Sequence, residues 1–271
     1  MRISRLTAVF FVLAAAGATY AYADGGGKGF SGTGVAITSR DGRLMYVTQT
    51  RPKRGVTIVR IMRGGRTTRS ISLRGGYGVP MVAADRSTEG LSHDGRTLVL
   101  EAETPGRFAV LDAQTLAVRE IVRLPVQFTY DALSPRGKTL YLIQHVYARN
   151  SNANRYYVRA YDLVRHRLLK KIVFDRRENW GLMSGSPVTR ATSASGKWVY
   201  TLYSRPGGSP FVHALDAVNR RAVCVDLPWR GSQTQVFRMK LKLNGTNLVI
   251  NADWATRHVA VIDTKTFRVT S

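Results

Sequence analysis

An all-β fold, a β-propeller of about five four-stranded blades in a closed ring or an arc, is what this sequence predicts, on three observations. Gly42, Gly95, Gly137, Gly196 and Gly245 each sit in a polar turn between two apolar, β-rich runs, at separations of 53, 42, 59 and 49 residues. A period of roughly 40–50 residues holding several strands is the sequence mark of a propeller. Val, Ile, Tyr and Thr alternate with polar residues throughout, and no window sustains the 3.6-residue period of an amphipathic helix. Finally, Asp112, Asp162, Asp216 and Asp263 recur at one place in four of the units.

Each unit divides into strands A to D. Strand A leads into the glycine turn at 34–39, 90–92, 128–134, 188–193 and 236–241, and strand B leaves it at 44–50, 97–103, 139–146, 198–204 and 247–253. Asp-Gly and Asn-Gly accept the positive φ angles that tight hairpins need, which makes the A–B connection short. Strand C follows at 56–62, 107–112, 156–162, 211–216 and 258–263. The Asp that ends it in four units is read as a turn former bonding nearby backbone amides, not as a paired catalytic acid. Strand D closes the units at 68–73, 118–124, 168–174, 221–227 and 267–271.

The ends and the composition bound where the chain works. Arg2 and Arg5, the apolar run Leu6–Ala18 and the small-x-small pattern Ala21-Tyr22-Ala23 read as a signal peptide over 1–23, with cleavage before Asp24. A glycine-rich leader over 24–33 and a propeller domain over 34–271 follow. The apolar run is shorter than the ~20 residues a spanning helix needs, and no later stretch is apolar enough. The expectation is therefore a secreted or periplasmic protein with no membrane segment after cleavage. Cys224 is the single cysteine, so no intrachain disulfide forms. Forty-one Lys and Arg against 17 Asp and Glu give a formal net charge of +24, which attracts anionic partners in a salt-dependent way. The basic residues are spread over the repeats, without the long block of a nucleic-acid arm, so no specific nucleic acid is expected.

The blade pattern Leu-Ser-x-x-Gly-[Arg/Lys]-Thr-Leu-[Val/Tyr]-Leu, followed by Ala-Val-[Leu/Ile]-Asp-[Ala/Thr]-x-Thr, is clearest at Leu91–Leu100 with Ala109–Thr115 and at Leu133–Leu142. It resembles the consensus of YVTN/YncE-type propellers over about residues 34–271. That resemblance implies the fold and says little of activity, since such propellers include surface proteins, lactonase-like enzymes and binding modules. Familiar members have seven blades against the five counted here, which leaves open a small ring, an arc, or a ring completed by a second chain.

In an up-and-down blade the A–B and C–D turns share one face and the B–C and D–A connections the other. The long loops, 147–155, 205–210, 74–88, 175–187 and 228–235, all fall on that second face, where binding usually sits. They carry aromatic side chains beside arginines: Trp180 near Arg176 and Arg177, Trp229 next to Arg230, and Tyr147 near Arg149. Such pairs suit sugars or other planar ligands, and equally suit plugs between blades. Six residues before each turn glycine, in the innermost strand, stand Ala36, Glu89, Asp131, Arg190 and Met239. Glu89, Asp131 and Arg190 are thus placed to meet in the channel, as a substrate site, as an acid/base pair for glycoside cleavage, or as a structural ion cluster.

Other signals are set aside. Gly27-Lys28-Gly29-Phe30-Ser31-Gly32 fits a dinucleotide fingerprint without the flanking strand and helix it requires. His93, His145, His166, His213 and His258 lack ligand spacing, so neither a metal nor a cofactor is expected. The favoured function is binding or scaffolding in the cell envelope through the long-loop face, with an anionic or carbohydrate-like ligand or a partner protein. A hydrolase or lactonase-like enzyme at the channel mouth is the alternative. The sequence sets no oligomeric state.

Overall fold

A computed structural model describes residues 33–125, 127–146, 155–178 and 181–270 of this chain. The signal peptide and the leader up to residue 32 lie outside them. The strands, in chain order, form five antiparallel sheets. Blade 1 holds β2 (Ala36–Thr38), β3 (Met45–Arg51), β4 (Val56–Arg63) and β5 (Arg66–Arg74). Blade 2 holds β1 (Thr33–Gly34), β6 (Tyr77–Pro80), β7 (Thr97–Ala102), β8 (Arg107–Asp112) and β9 (Val118–Arg123). Blade 3 is built from β10 (Phe128–Leu133), β11 (Thr139–Val146), β12 (Arg155–Asp162) and β13 (Arg167–Leu168), with β14 (Met183–Ser184) added against β12. Blade 4 comprises β15 (Ser186–Thr192), β16 (Trp198–Ser204), β17 (Phe211–Asp216) and β18 (Arg221–Asp226). Blade 5 has β19 (Met239–Asn244), β20 (Asn247–Ala252) and β21 (Ala260–Asp263), plus a single bridge from Ile262 to Val269. The fold is a β-propeller.

The repeated turn residues each have a job. In blades 1 to 4 the hydroxyls of Ser39, Ser92, Ser134 and Ser193 accept the amide five residues on, at 2.8–2.9 Å. Their carbonyls accept the N–H of the turn glycine at 2.8 Å. The loop between the strands is therefore wider than the two-residue hairpin expected; only blade 5, with Asn244 opposite Asn247, has the tight form. Serine makes the difference, because its N–H donates to the carbonyl five residues on while its hydroxyl, not its carbonyl, accepts the return bond. Gly95 sits at φ +68°, with nothing near a prospective Cβ. Gly95→Val is expected to cost at least ~1 kcal/mol in urea unfolding, from backbone strain alone. The aspartates that end the C strands behave as read: Oδ1 of Asp112 accepts the amides of Gln114 and Thr115 at 2.9 and 2.8 Å, and Asp162, Asp216 and Asp263 repeat the bond pair.

The core lies between blades. One apolar cluster joins blades 1 and 2 around Tyr46, Val59, Leu98 and Leu111, and another joins 2 and 3 around Phe108, Tyr130 and Leu140. A third joins 3 and 4 around Tyr141, Tyr156 and Phe211, and the last joins 4 and 5 around Leu202, Met239 and Ile250. Among the described residues no such cluster, hydrogen bond or ion pair joins blade 5 to blade 1.

Two segments depart from the strand-by-strand reading. Residues 74–88 were expected to be one long D–A loop. Instead β6 forms the lower half of blade 2's inner strand, pairing Tyr77 with Ala102 and Gly78 with Glu101, and Leu91 resumes it opposite Leu98. Between them the chain leaves the sheet as a small hairpin, with Met81 opposite Thr88 and Val82 N–H on the Ser87 carbonyl at 2.9 Å. Its tip crosses the channel, where the amides of Ala84 and Asp85 donate to the carbonyls of Pro187 and Val188 in blade 4, at 3.0 and 3.1 Å. The second departure is at 233–236, where Ser232 and Gln235 form a reciprocal capping box and start a single helical turn, α1 (Gln233–Val236), ahead of β19.

Candidate functional site

The channel side chains meet as the strand alignment expects. Asp131 projects from β10 at a bulge, where the register with β11 shifts between Tyr130 and Ala132. Arg190 comes from β15, and Glu89 ends the channel-crossing hairpin, its amide on the Pro80 carbonyl at 3.0 Å. Arg190 Nη2 donates to Asp131 Oδ1 at 2.7 Å, Nη1 lies 3.3 Å from Glu89 Oε2 and also bonds the Asp131 carbonyl, and Nε donates to Thr201 Oγ1 at 2.9 Å. Both Arg190 and Asp131 are 4% exposed, and Glu89 is 22% exposed. Burial raises the Glu89 pKa above the ordinary carboxylate value, with Arg190 opposing and Asp131 adding to the rise. Burial also works against the Arg190 charge, and the two carboxylates more than offset it.

This cluster partitions the channel. On the side of the A–B turns lies a cavity of about 420 Å³, lined by Glu89, Tyr130, Thr192, Ile37, Tyr46, Leu91 and Val199. Three A–B turns converge over it: Arg40 from blade 1 reaches the His93 ring of blade 2 and the Ala194 carbonyl of blade 4, and His93 Nε2 lies 2.8 Å from that same carbonyl. Burial first, and Arg40 second, hold the His93 pKa below its usual value, so the ring is neutral at neutral pH. On the loop side lies a recess of about 20 Å³ beside Asp131, Tyr156, Arg190 and Tyr203, a volume on the order of one water molecule. Asp131 Oδ2 is buried near it with no hydrogen-bond partner among the described residues.

The loop-face candidates are placed less uniformly. Trp229 packs on Trp254, ring centroids 6.1 Å apart, and belongs to the cluster between blades 4 and 5, which is the plug arrangement. Arg177 is held by Asp175 at 2.6 Å and by the Cys224 carbonyl at 2.8 Å. Arg176 and Arg230 are exposed. Trp180 and Tyr147 lie outside the described residues. Burial pushes the Cys224 thiol up to about 12, so it is no nucleophile at neutral pH. No group of His, Cys, Asp or Glu is arranged to hold a metal ion among the described residues, and no described helix is long and apolar enough to cross a membrane.

Sequence reasoning passed over Arg40 and His93 as ordinary turn residues. Both occupy the position after the turn serine, as Ala194 does in blade 4, and that position leans over the channel mouth. The shared offset is a signal readable from the repeat alignment.

No family model and no curated protein matches this chain. Among solved structures it is similar to the Kuenenia stuttgartiensis hydrazine synthase, with 21% identity, TM-score 0.41, and 67% of this chain against 46% of that one. TolB from Acinetobacter baumannii matches at 19% identity and TM-score 0.43, over 87% of this chain and 53% of that one. The Cps50 (Swd1) β-propeller domain of Myceliophteria thermophila matches at 13% identity and TM-score 0.48, over 83% and 64%. The chain thus spans less than two thirds of the length of each, and the likeness is one of fold.

Proposed function

We propose that this chain is an exported, non-enzymatic propeller of the cell envelope that binds a small anionic or carbohydrate-like ligand in the cavity at the A–B turn face. The carrying observation is that cavity: about 420 Å³, within the range of small-molecule sites, with Arg40 and His93 over its mouth and Glu89 in its lining. Arg40 suits an anionic group, and Tyr46 and Tyr130 suit a ring. The YVTN/YncE-like blade consensus and the signal-peptide pattern of 1–23 support the envelope setting. Binding is favoured over the hydrolase or lactonase alternative because one guanidinium engages both channel carboxylates, and neither is left free as acid or base. The variable loop face, with Arg176 and Arg230 exposed, is where a partner protein would dock.

Thermal-shift and calorimetric titration with hexuronates, sugar phosphates and neutral sugars test this reading. Binding is expected to weaken at least ~10-fold in His93→Ala and Arg40→Ala, since each removes a polar contact at the mouth, and to survive Trp229→Ala/Arg230→Ala. Loss in the second pair alone would move the site to the loop face. Turnover of a lactone or aryl glycoside that Glu89→Gln abolishes would replace binding by catalysis.

A further inference from the structure

Neighbouring blades of this propeller differ sharply in charge. From Thr33 to Arg74 the chain has ten Lys and Arg and one acid, Asp41, whereas Tyr77 to Leu124 has five Arg against seven Asp and Glu. Among the described ion pairs, Arg43 with Asp41 at 3.7 Å is the one that blade 1 makes. Among the described residues, Arg51, Lys53, Arg54, Arg63, Arg66, Arg69 and Arg74 have no acidic partner.

Strand register shows how the charge is displayed. Tyr46, Thr48, Val59, Ile61 and Leu73 turn toward blade 2 and are buried. The opposite face carries, row by row, Arg51–Val56–Arg74, Gln49–Ile58–Ser72, Val47–Arg60–Ser70 and Met45 opposite Met62. Among the described residues no apolar cluster, hydrogen bond or ion pair ties blade 5 to this face. Met45 is 36% exposed and Val47, Val56, Ile58 and Met62 are partly exposed. The result is a broad sheet face of apolar side chains framed by Arg51, Arg60 and Arg74.

We propose that this outer face of blade 1 docks onto an anionic lipid surface, the arginines on headgroup phosphates and Met45, Ile58 and Met62 in the interfacial layer. Three features favour a bilayer over other polyanions. The face is a sheet surface and not a cleft, since neither described cavity includes Arg51, Val56, Ile58, Arg60 or Met62. Blade 1 offers no exposed aromatic on which a base or sugar would stack, since its one aromatic, Tyr46, is 1% exposed. Apolar groups amid unpaired cations are what an anionic interface rewards, each basic residue and each inserted side chain adding its own increment. Repulsion argues against a second copy, because both copies would bring the same unpaired arginines. The inference shares only the exported setting with the proposed function, and a failure of cavity binding leaves it standing.

The test uses the chain beginning at Asp24, which keeps every described residue and removes the apolar run Leu6–Ala18 that would itself enter lipid. It is floated with phosphatidylcholine vesicles with and without phosphatidylglycerol, after circular dichroism has verified the fold of each variant. Binding is expected only to the phosphatidylglycerol vesicles. Arg51→Glu/Arg60→Glu/Arg74→Glu is expected to weaken it on the order of 100-fold, whereas Arg167→Glu/Lys170→Glu/Lys171→Glu on blade 3, with the same change in net charge, is expected to change it by less than ~3-fold. Met45→Ser/Met62→Ser is expected to weaken it about 10-fold with no change of charge. Equal losses in the two charge reversals would show that net charge alone acts and overturn the proposal. So would equal, methionine-independent retention by poly-glutamate, or a dimer that Met45→Ser/Met62→Ser dissociates.

Discussion

Replacing Arg190 by Met is expected to lower the free energy of unfolding by about 3–5 kcal/mol at neutral pH, the cost of leaving buried carboxylates without their cation. Arg190 is the single positive group between Glu89 and Asp131, and its Nε, Nη1 and Nη2 are all engaged. Without it, two negative charges share a channel centre from which water is largely excluded. Neutralising them is therefore expected to recover much of the loss: Arg190→Met/Glu89→Gln/Asp131→Asn should be more stable than Arg190→Met alone, although it has more substitutions. Urea denaturation of the three proteins measures the difference. A loss below about 1 kcal/mol in the single variant, with no recovery in the triple, would mean that the carboxylates find their solvation elsewhere.

Glu101→Gln is expected to stabilise the protein at alkaline pH and to do little in acid. Glu101 lies in β7 at 5% exposure, and its described bond is with the Tyr130 amide of blade 3 at 3.1 Å. Burial raises its pKa from 4.5 to about 8, the amide opposing only in part. The folded chain thus holds this proton more tightly than the unfolded chain. The contribution of Glu101 to stability is complete below pH 4.5, declines as the pH rises toward about 8, and is fully lost above it. The span between the two values corresponds to a few kcal/mol. A denaturation midpoint that falls over this range in the wild type and stays flatter in Glu101→Gln is the expected record. Parallel pH profiles would place the titrating group elsewhere.

Local chemistry explains which parts of this molecule could be read in advance. The turn glycines, the C-strand aspartates and the inward alternation each act within a few residues of themselves, and the five sheets follow from them. The meeting of Glu89, Asp131 and Arg190 was legible for a related reason, because a repeat turns equal offsets from Gly95, Gly137 and Gly196 into a common height in the channel. What stayed hidden depends on residues far apart in the chain. Gly78 and Pro80 look like strand breakers, and only the partners Pro187 and Val188 make a channel-crossing hairpin of the segment between Pro80 and Gly90. The cavity mouth needs Arg40, His93 and Ala194 from three blades at once. At 232–236 the miss was avoidable, since Ser232 and Gln235 are spaced as a capping box.

The channel-crossing hairpin also changes how this fold can come apart. In an array where each repeat touches only its neighbours, unfolding starts at either end and travels inward one unit at a time. Here Ala84 and Asp85 of the second unit are bonded directly to Pro187 and Val188 of the fourth, past the third. Those three units are therefore latched into one cooperative block, in which neither the second nor the fourth can open without disturbing a non-neighbour. The fifth unit is joined to the fourth by an apolar cluster and to the hairpin by the exposed pair Lys240–Asp85, and the first has its apolar cluster with the second and reaches the fourth through the exposed bond of Arg40 to the Ala194 carbonyl. Amide exchange in such a molecule divides into a slow centre and two faster flanks, with the first unit, which bears the unpaired arginines, among the sections freest to reshape against whatever it meets.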